Sequence, residues 1–205
     1  MQNQTVIVTG GASGIGKATA ELFAKLGSNV VVSDIQETEG LRVTNEIIGN
    51  GGSASFFKTD VSKAIDMEAL VDFALHTYGQ LDVAVNNAGI SGEQNMIADM
   101  SIEGWDKIIA VNLNSLFYGM KYQIKAMLEN GGGSIVNVSS ILGSVAFAGA
   151  SGYTSAKHAV LGLTQTAALE YSAQNIRINS VGPGFIETPL LNALDAEMKK
   201  QLALL

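Results

Sequence analysis

Six short runs rich in strand-forming residues are spaced along this chain, with helix-length stretches between them. They are TVIVT (5–9), NVVVSD (29–34), SASFFKTD (53–60), LDVAVNN (81–87), SIVNVSS (134–140) and NIRINSVGP (175–183). Such near-continuous Val/Ile runs, rather than alternating ones, are the pattern of strands covered on both faces. Parallel neighbours need a crossover, and the intervening stretches 14–26, 37–48, 63–78, 101–129 and 153–173 have helical character. Gly27, the Gly49-Asn50-Gly51-Gly52 cluster, Gly79 and Gly131-Gly132-Gly133 stand where these helices should stop. The pattern predicts an α/β fold: one doubly wound parallel sheet with helices on both faces. No linker, low-complexity stretch or internal repeat interrupts it, so residues 1–205 are expected to form a single domain.

Composition narrows the chemistry. With 47% hydrophobic and 15% charged residues the chain can bury a core. A net charge of −7 opposes binding to a phosphate backbone, so no nucleic-acid partner is expected. The absence of cysteine excludes disulfides, thiolate nucleophiles and Cys-rich zinc sites. His76 and His158 have no Cys or carboxylate partners at ligand spacing, so they are taken as ordinary helix residues and no metal is expected. Trp105 and the methionines are assigned to packing, and Lys17 to a solvated helix face. The first run begins at Thr5, which leaves no length for a leader, and no apolar run is long enough to span a bilayer. The expectation is a cytoplasmic protein with no membrane contact. At the other end a helical pattern from Leu190 stops at Leu205 without a cap and would leave the sixth run an open edge. A further C-terminal strand, and the end of a substrate loop, are therefore expected beyond it.

The stretch VTGGASGIGKAT (8–19) follows the first strand and admits two readings. From Gly11 it runs G-x-x-x-x-G-K, most of a P-loop, but the position that should carry Ser or Thr for Mg²⁺ is Ala18, and Thr19 comes one residue late. From Thr9 it runs T-G-x-x-x-G-x-G, with Gly10, Gly14 and Gly16 suited to a dinucleotide pyrophosphate at a helix N-terminus. The G-x-G-x-x-G form is absent, so the turn alone is a weak signal. Asp34 strengthens the second reading, because it ends the second strand 18 residues past Gly16, where a carboxylate can accept ribose hydroxyls. It would repel a 2′-phosphate, and its neighbours Ser33 and Ile35 carry no positive charge, which favours NAD over NADP. On its own, Asp34 fits a cap of the next turn equally well.

YTSAK (153–157) places Tyr153 and Lys157 at i and i+4, on one helix face, while Ala156, Val160, Leu163 and Ala167 mark the core stripe. A free phenol has a pKa near 10, and a neighbouring ammonium favours its phenolate, bringing it toward the range useful for proton transfer. Ser140 ends the fifth strand, at the carboxyl edge where parallel sheets place their sites, and could steady a substrate oxygen. Asn112, inside a long helical stretch, taken alone fits a buried amide bonded to backbone better than a catalytic group. Asn87, within Asn86-Asn87-Ala88-Gly89, fits polar bracing of a strand end. Glu93, Asp99 and Glu103 form no convincing catalytic pair.

Taken in order, these motifs resemble the classical short-chain dehydrogenase/reductase family over Thr5 to Thr188. T-G-G-A-S-G-I-G is similar to that family's cofactor turn, which brings Ser13 and Ile15 in beside the three glycines. Asp60-Val61 is similar to its adenine-contacting pair, and Asn87, Ala88 and Gly89 to its strand-end motif. Pro183, Gly184, Ile186 and Thr188 are similar to its nicotinamide-side segment. The resemblance implies a Rossmann-type sheet, a nicotinamide cofactor and an alcohol or carbonyl substrate. It also implies a catalytic set of Asn112, Ser140, Tyr153 and Lys157. Tyr153 would be the general acid/base, with Lys157 lowering its pKa and touching the nicotinamide ribose. Ser140 would orient the substrate, and Asn112 would hold a relay water. Family members are usually homotetramers built on their two long helices, here 101–129 and 153–173, and Ala156, Ala159, Gly162 and Ala167 would permit close approach or face their own sheet. The loop ILGSVAFAGASG (141–152), small and apolar with Phe147 its one bulky ring, favours a neutral or moderately apolar substrate. The open alternatives are an NADP(H)-linked 3-oxoacyl thioester reductase and a non-catalytic NAD-binding sensor.

Overall fold

A computed structural model describes residues 2–192. Six strands alternate with helices: β1 (Thr5–Thr9), α1 (Gly14–Lys25), β2 (Asn29–Asp34), α2 (Glu37–Gly49), β3 (Ser53–Lys58), α3 (Ala64–Tyr78) and β4 (Val83–Asn86). Then come α4 (Ile102–Ile109), α5 (Ser115–Glu129), β5 (Gly133–Val138), α6 (Ser151–Tyr171), β6 (Ile176–Val181) and a short α7 (Pro189–Asn192). Beyond Asn192, the expected C-terminal helix lies outside the described residues. All strand pairs are parallel, in the order β3-β2-β1-β4-β5-β6, the doubly wound arrangement the spacing predicts.

The period of two along each strand sorts the core into two layers. Val6, Val8, Val30 and Val32 pack against Ala20 and Ala24 of α1 and Val43 and Ile47 of α2. Ile7, Val31, Ala84 and Ile135 point the other way, into Leu70, Met120, Met127 and Ala167 from α3, α5 and α6. Burial on both faces is why the central strands read as unbroken apolar runs. Near the β6 edge that expectation fails. Ile176 and Ile178 are buried while Arg177, Asn179 and Val181 are exposed, so β6 alternates. Among the described residues no helix covers the outward side of β6.

Residues 101–129 form one helical rod but not one α-helix. A π turn, Ala110–Asn114, joins α4 to α5 and inserts one extra residue per turn. The sequence carries no proline or glycine there to announce it. Helix ends follow local chemistry: Gly79 closes α3 with a left-handed φ of 84°, and Ser101 caps α4 by accepting from the Gly104 N–H.

Candidate active site

The connections reverse direction between β1 and β4, and the crevice opens at the carboxyl ends of these two strands. Gly10 turns the chain out of β1 at a φ of +66°. A Cβ on Gly16 would overlap the Gly10 carbonyl oxygen and stand 2.6 Å from Asn87 Nδ2, so only glycine lets α1 lie this close to the turn. Ser13 occupies the N-cap of α1 without a side-chain cap, and no acidic residue sits in the first turn. The helix N-terminus therefore keeps donors and positive dipole for an anion. The P-loop reading does not fit this geometry. Lys17 Nζ is paired with Glu46 at 2.9 Å and Glu21 at 3.5 Å, and Thr19 Oγ1 donates back to the Ile15 carbonyl at 2.7 Å. Lys17 is thus ion-paired rather than simply solvated.

Asp34 is both a brace and a candidate ligand. Its Oδ2 accepts from the Ala12 N–H and its Oδ1 from the Gln36 N–H, each at 3.0 Å. It is buried, yet it lines the crevice with Gly10, Ser13, Gly14, Ile15, Asp60, Val61, Asn87, Ala88, Gly89 and Thr188. The crevice encloses about 790 Å³. The Ser62 hydroxyl, followed by Lys63, holds the Asp60 carboxyl below its ordinary range. The sheet register also sets Lys58 across from Asp34, a cation that reading along the chain misses; its Nζ lies 3.1 Å from Glu37.

A second cavity of about 170 Å³ adjoins the crevice and shares Ile15, Asn87, Gly89 and Thr188 with it. Ser140, Tyr153, Lys157, Pro183, Gly184 and Ile186 line it. Ser140 caps a 3₁₀ turn (Ile141–Gly143) directly after β5, its Oγ accepting from the Leu142 N–H at 3.2 Å. Ser139 Oγ donates to the Lys157 carbonyl at 3.0 Å, tying the end of β5 to α6. Lys157 is only 3% exposed; its Nζ donates to the Val138 carbonyl at 2.8 Å and sits 5.5 Å from the Tyr153 ring centroid. Burial lowers the Lys157 pKa to about 8. For Tyr153 burial raises the pKa, and the hydrogen bond with Ser140 opposes it. The expected lowering of the phenol's pKa by Lys157 is not among these two causes. Desolvation of the phenolate is the larger of the two, and the Lys157 ammonium donates to the Val138 carbonyl.

Asn112 lies in the π turn, fully buried and outside both cavities. Its Oδ1 accepts from the Ile90 N–H and its Nδ2 donates to the Ile90 carbonyl, both at 2.8 Å. Through both its oxygen and its nitrogen the side chain holds the loop after β4. A Cβ on Gly89 would stand 2.9 Å from Asn112 Oδ1 and 3.8 Å from Lys157 Nζ, so the three groups meet. Asn87 braces the glycine turn, its Nδ2 donating to the Thr9 carbonyl at 2.9 Å, while Thr9 Oγ1 accepts from the N–H groups of Asn87 and Ala88. Thr9 opens the glycine motif in the sequence, but its bracing role toward Asn87 and Ala88 comes only from the fold.

A buried polar chain was missed as well. Asn86 and Gln123 exchange amide hydrogen bonds of 3.0 and 2.8 Å, Asn86 Nδ2 also donates to Asn137 Oδ1 at 2.9 Å, and Asn137 Nδ2 donates to Thr164 Oγ1 at 3.0 Å. It links β4, α5, β5 and α6 beneath the cavity. Asn137 interrupting SIVNV and Asn86 closing LDVAVN were the visible hints. Among the described residues no acidic or histidine cluster could hold a metal, and no helix is long and apolar enough to cross a membrane.

The profile of the family described as short chain dehydrogenase matches residues 4–199. The chain is 50% identical over 199 residues to the cyclohexanol dehydrogenase of Acinetobacter sp. (strain SE19), covering 97% of this chain and 79% of that one. It is 43% identical over 192 residues to a 2,5-dichloro-2,5-cyclohexadiene-1,4-diol dehydrogenase of Sphingobium indicum, covering 93% of this chain and 76% of the relative. The crystal structure of levodione reductase superposes with a TM-score of 0.92 at 35% identity, over 99% of this chain and 81% of that one. By the profile match over nearly the whole chain and by these likenesses, the chain belongs to the short-chain dehydrogenase family.

Proposed function

We propose that this protein interconverts a secondary alcohol and its ketone, using NAD(H), and that its substrates are cyclic alcohols of the cyclohexanol type. One observation carries the reading: Ser140, Tyr153 and buried Lys157 line one cavity, and that cavity opens into the glycine-walled crevice. The crevice suits a dinucleotide, since the space a Gly16 Cβ would fill is already closed and the α1 N-terminus is uncapped. Gly10, Ser13, Gly14, Ile15 and Gly16 would hold the pyrophosphate, Asp34 the adenosine ribose, and Asp60 and Val61 the adenine. Asn87, Ala88 and Gly89 would border the nicotinamide ribose with Tyr153 and Lys157; Pro183, Gly184, Ile186 and Thr188 would flank the ring. The nicotinamide, when bound, supplies the hydride chemistry.

The protein's own part is proton transfer and orientation. Ser140 Oγ positions the substrate oxygen, and the Tyr153 phenolate accepts the alcohol proton in oxidation or the phenol donates it in reduction. A Lys157 ammonium with a pKa about 8 can exchange protons near neutrality and so connect Tyr153 to solvent. Asn112, whose side chain bonds Ile90 at both ends, would hold a relay water leading through Lys157. The cavity walls Leu142, Phe147 and Phe185, together with the substrates named for the relatives, support an apolar ring as substrate.

The first test is an equilibrium titration with NADH and NADPH, read by nicotinamide fluorescence. NADH is expected to bind at least about tenfold tighter, and Asp34→Ser to narrow that gap, because the fixed carboxylate opposes a 2′-phosphate. Equal or tighter NADPH binding would defeat the Asp34 argument and favour the 3-oxoacyl thioester reductase, with Lys58 as the cation involved.

We also propose a homo-oligomer formed through the outer faces of α5 and α6. Of the small residues on α6, Ala156 and Ala167 face the protein's own core, whereas Ala159 and Gly162 are exposed beside Leu169, which is 82% exposed. Phe117 on α5 is 51% exposed. Light scattering should give a mass of two or four chains, and a monomer at micromolar concentration would remove this proposal.

A further inference from the structure

We propose that Ser91 and Gln94 form a second recognition point in the substrate cavity, for an uncharged oxygen on the ring other than the one that reacts. The proposal rests on the alcohol–ketone reading above and names the substrate class more closely: cyclic diols, hydroxy-ketones or diones rather than simple cycloalkanols.

Both residues line the cavity that holds Ser140 and Tyr153, but they come from the loop after β4, whereas Ser140 follows β5 and Tyr153 belongs to α6. The other polar groups on that wall are already engaged. Ser139 donates to the Lys157 carbonyl, Asn87 to the Thr9 carbonyl and Lys157 to the Val138 carbonyl, while Ser140 accepts from Leu142. Thr188 stands at the junction with the crevice, where it would border the dinucleotide. Among the described residues, the Ser91 hydroxyl and the Gln94 amide have no hydrogen-bond partner. A polar group on an apolar cavity wall is satisfied either by water or by the ligand that displaces it. An amide and a hydroxyl together offer both donors and acceptors, and so suit a hydroxyl or a keto oxygen.

The loop is pinned on both sides of Gln94. Glu93 accepts from the Ser101 hydroxyl and the Asn95 amide, and Ser101 Oγ in turn accepts from the Gly104 N–H at the start of α4. Hydrogen bonding from Ser101 holds the Glu93 carboxyl below its ordinary range, so the clamp stays charged at working pH. Asn95 pairs with Ala150, directly before the helix that carries Tyr153. The backbone bearing Gln94 is thus tied to the backbone bearing Tyr153. Such pre-ordering lets a remote contact on the substrate help place its reacting carbon.

Charge sets the limit on what is recognised. The only charged side chain on the described cavity wall is Lys157, whose Nζ is given to the Val138 carbonyl. Among the described residues no guanidinium or further ammonium faces this wall to meet a carboxylate, and the walls Leu142, Phe147 and Phe185 are apolar. An anionic ring substituent would be desolvated there without a partner. A neutral oxygen would not.

The test measures kcat/KM for cyclohexanol, cyclohexane-1,4-diol, 4-hydroxycyclohexanone and 4-hydroxycyclohexanecarboxylate with wild-type enzyme, Gln94→Leu, Gln94→Glu and Ser91→Ala. Wild type should favour the diol and the hydroxy-ketone over cyclohexanol by about tenfold or more, and disfavour the carboxylate. Gln94→Leu should remove most of the diol-to-cyclohexanol ratio, and Ser91→Ala part of it. Gln94→Glu preserves size and can only accept, so it should retain preference for the diol while losing it for the hydroxy-ketone. If the ratios are the same in all four proteins, whatever the absolute rates, or if wild type prefers the carboxylate, the subsite is wrong while the alcohol–ketone reading stands. If wild type oxidises none of the four with NAD or NADP, the alcohol–ketone reading fails and takes the subsite with it.

Discussion

Tyr153→Phe is expected to lower turnover roughly 10³-fold or more while leaving NADH affinity within a few-fold. The ring stays, so the packing of α6 against the loop after β5 is preserved, and only the hydroxyl is lost. That hydroxyl is the titratable group placed against Ser140, and it shares the cavity with Lys157. A dehydrogenase should show the loss in kcat, since the proton is in flight only in the transition state. A protein that merely senses NAD would show the same titration curve for variant and wild type with no turnover in either. The pH profile gives the same assignment a second reading. Burial raises the phenol's pKa, so its base form is scarce at neutral pH and increases toward alkaline pH. Alcohol oxidation should therefore accelerate as pH rises and fall off below neutrality, whereas ketone reduction, which uses the protonated phenol, should persist to lower pH. An oxidation rate flat from neutral to alkaline pH would remove Tyr153 as the base.

Gly16→Ala is expected to be more damaging than a single methyl group suggests. The added Cβ would overlap the backbone oxygen of Gly10, which no rotamer change can relieve, and would press on Asn87 Nδ2 at 2.6 Å. Asn87 holds the Thr9 carbonyl, so moving it disturbs the brace between β1 and β4 as well. We expect a loss of stability of about 2–4 kcal/mol, at the upper end of single substitutions, and loss of measurable NADH binding even where the variant stays folded. Urea denaturation and nicotinamide fluorescence measure the two effects separately. Unchanged stability together with unchanged affinity would show that the turn can yield, and that close approach of α1 is not what shapes the crevice. Gly49→Ala provides the contrast, because nothing lies within 4 Å of the added atom.

Much of the fold was legible because its signals are local. β1 and β2 begin and end where the Val/Ile runs do, and Gly79 stops α3 through its own φ. Tyr153 and Lys157 share a helix face by spacing alone. The long rod 101–129 was legible only as helix. The π turn within it depends on Asn112 reaching Ile90, 22 residues away, and on the packing of α4 and α6 around that joint. Asp34 was ambiguous between turn brace and ribose ligand because the two roles are compatible: its oxygens brace Ala12 and Gln36 while it still lines the crevice.

By itself, the sequence determined the strand-and-helix alternation of a doubly wound sheet, the glycine turn and the placing of Tyr153 and Lys157 on one helix face. Each of these is set within one strand, one turn or one helix face, where backbone sterics and side-chain periodicity act over a few residues. Only the tertiary structure decided the rest. The Asn86–Gln123 and Asn86–Asn137 bonds join residues 37 and 51 positions apart, and no local preference encodes such pairs. Lys157 has a pKa about 8 rather than that of an ordinary lysine because the surrounding elements exclude water from it. Ser91 and Gln94 lie on the cavity wall because the Glu93–Ser101 clamp and the Asn95–Ala150 bridge hold their loop beside α6. Desolvation and long-range hydrogen bonding belong to the whole packed molecule, which is why these features emerge only once the chain has folded.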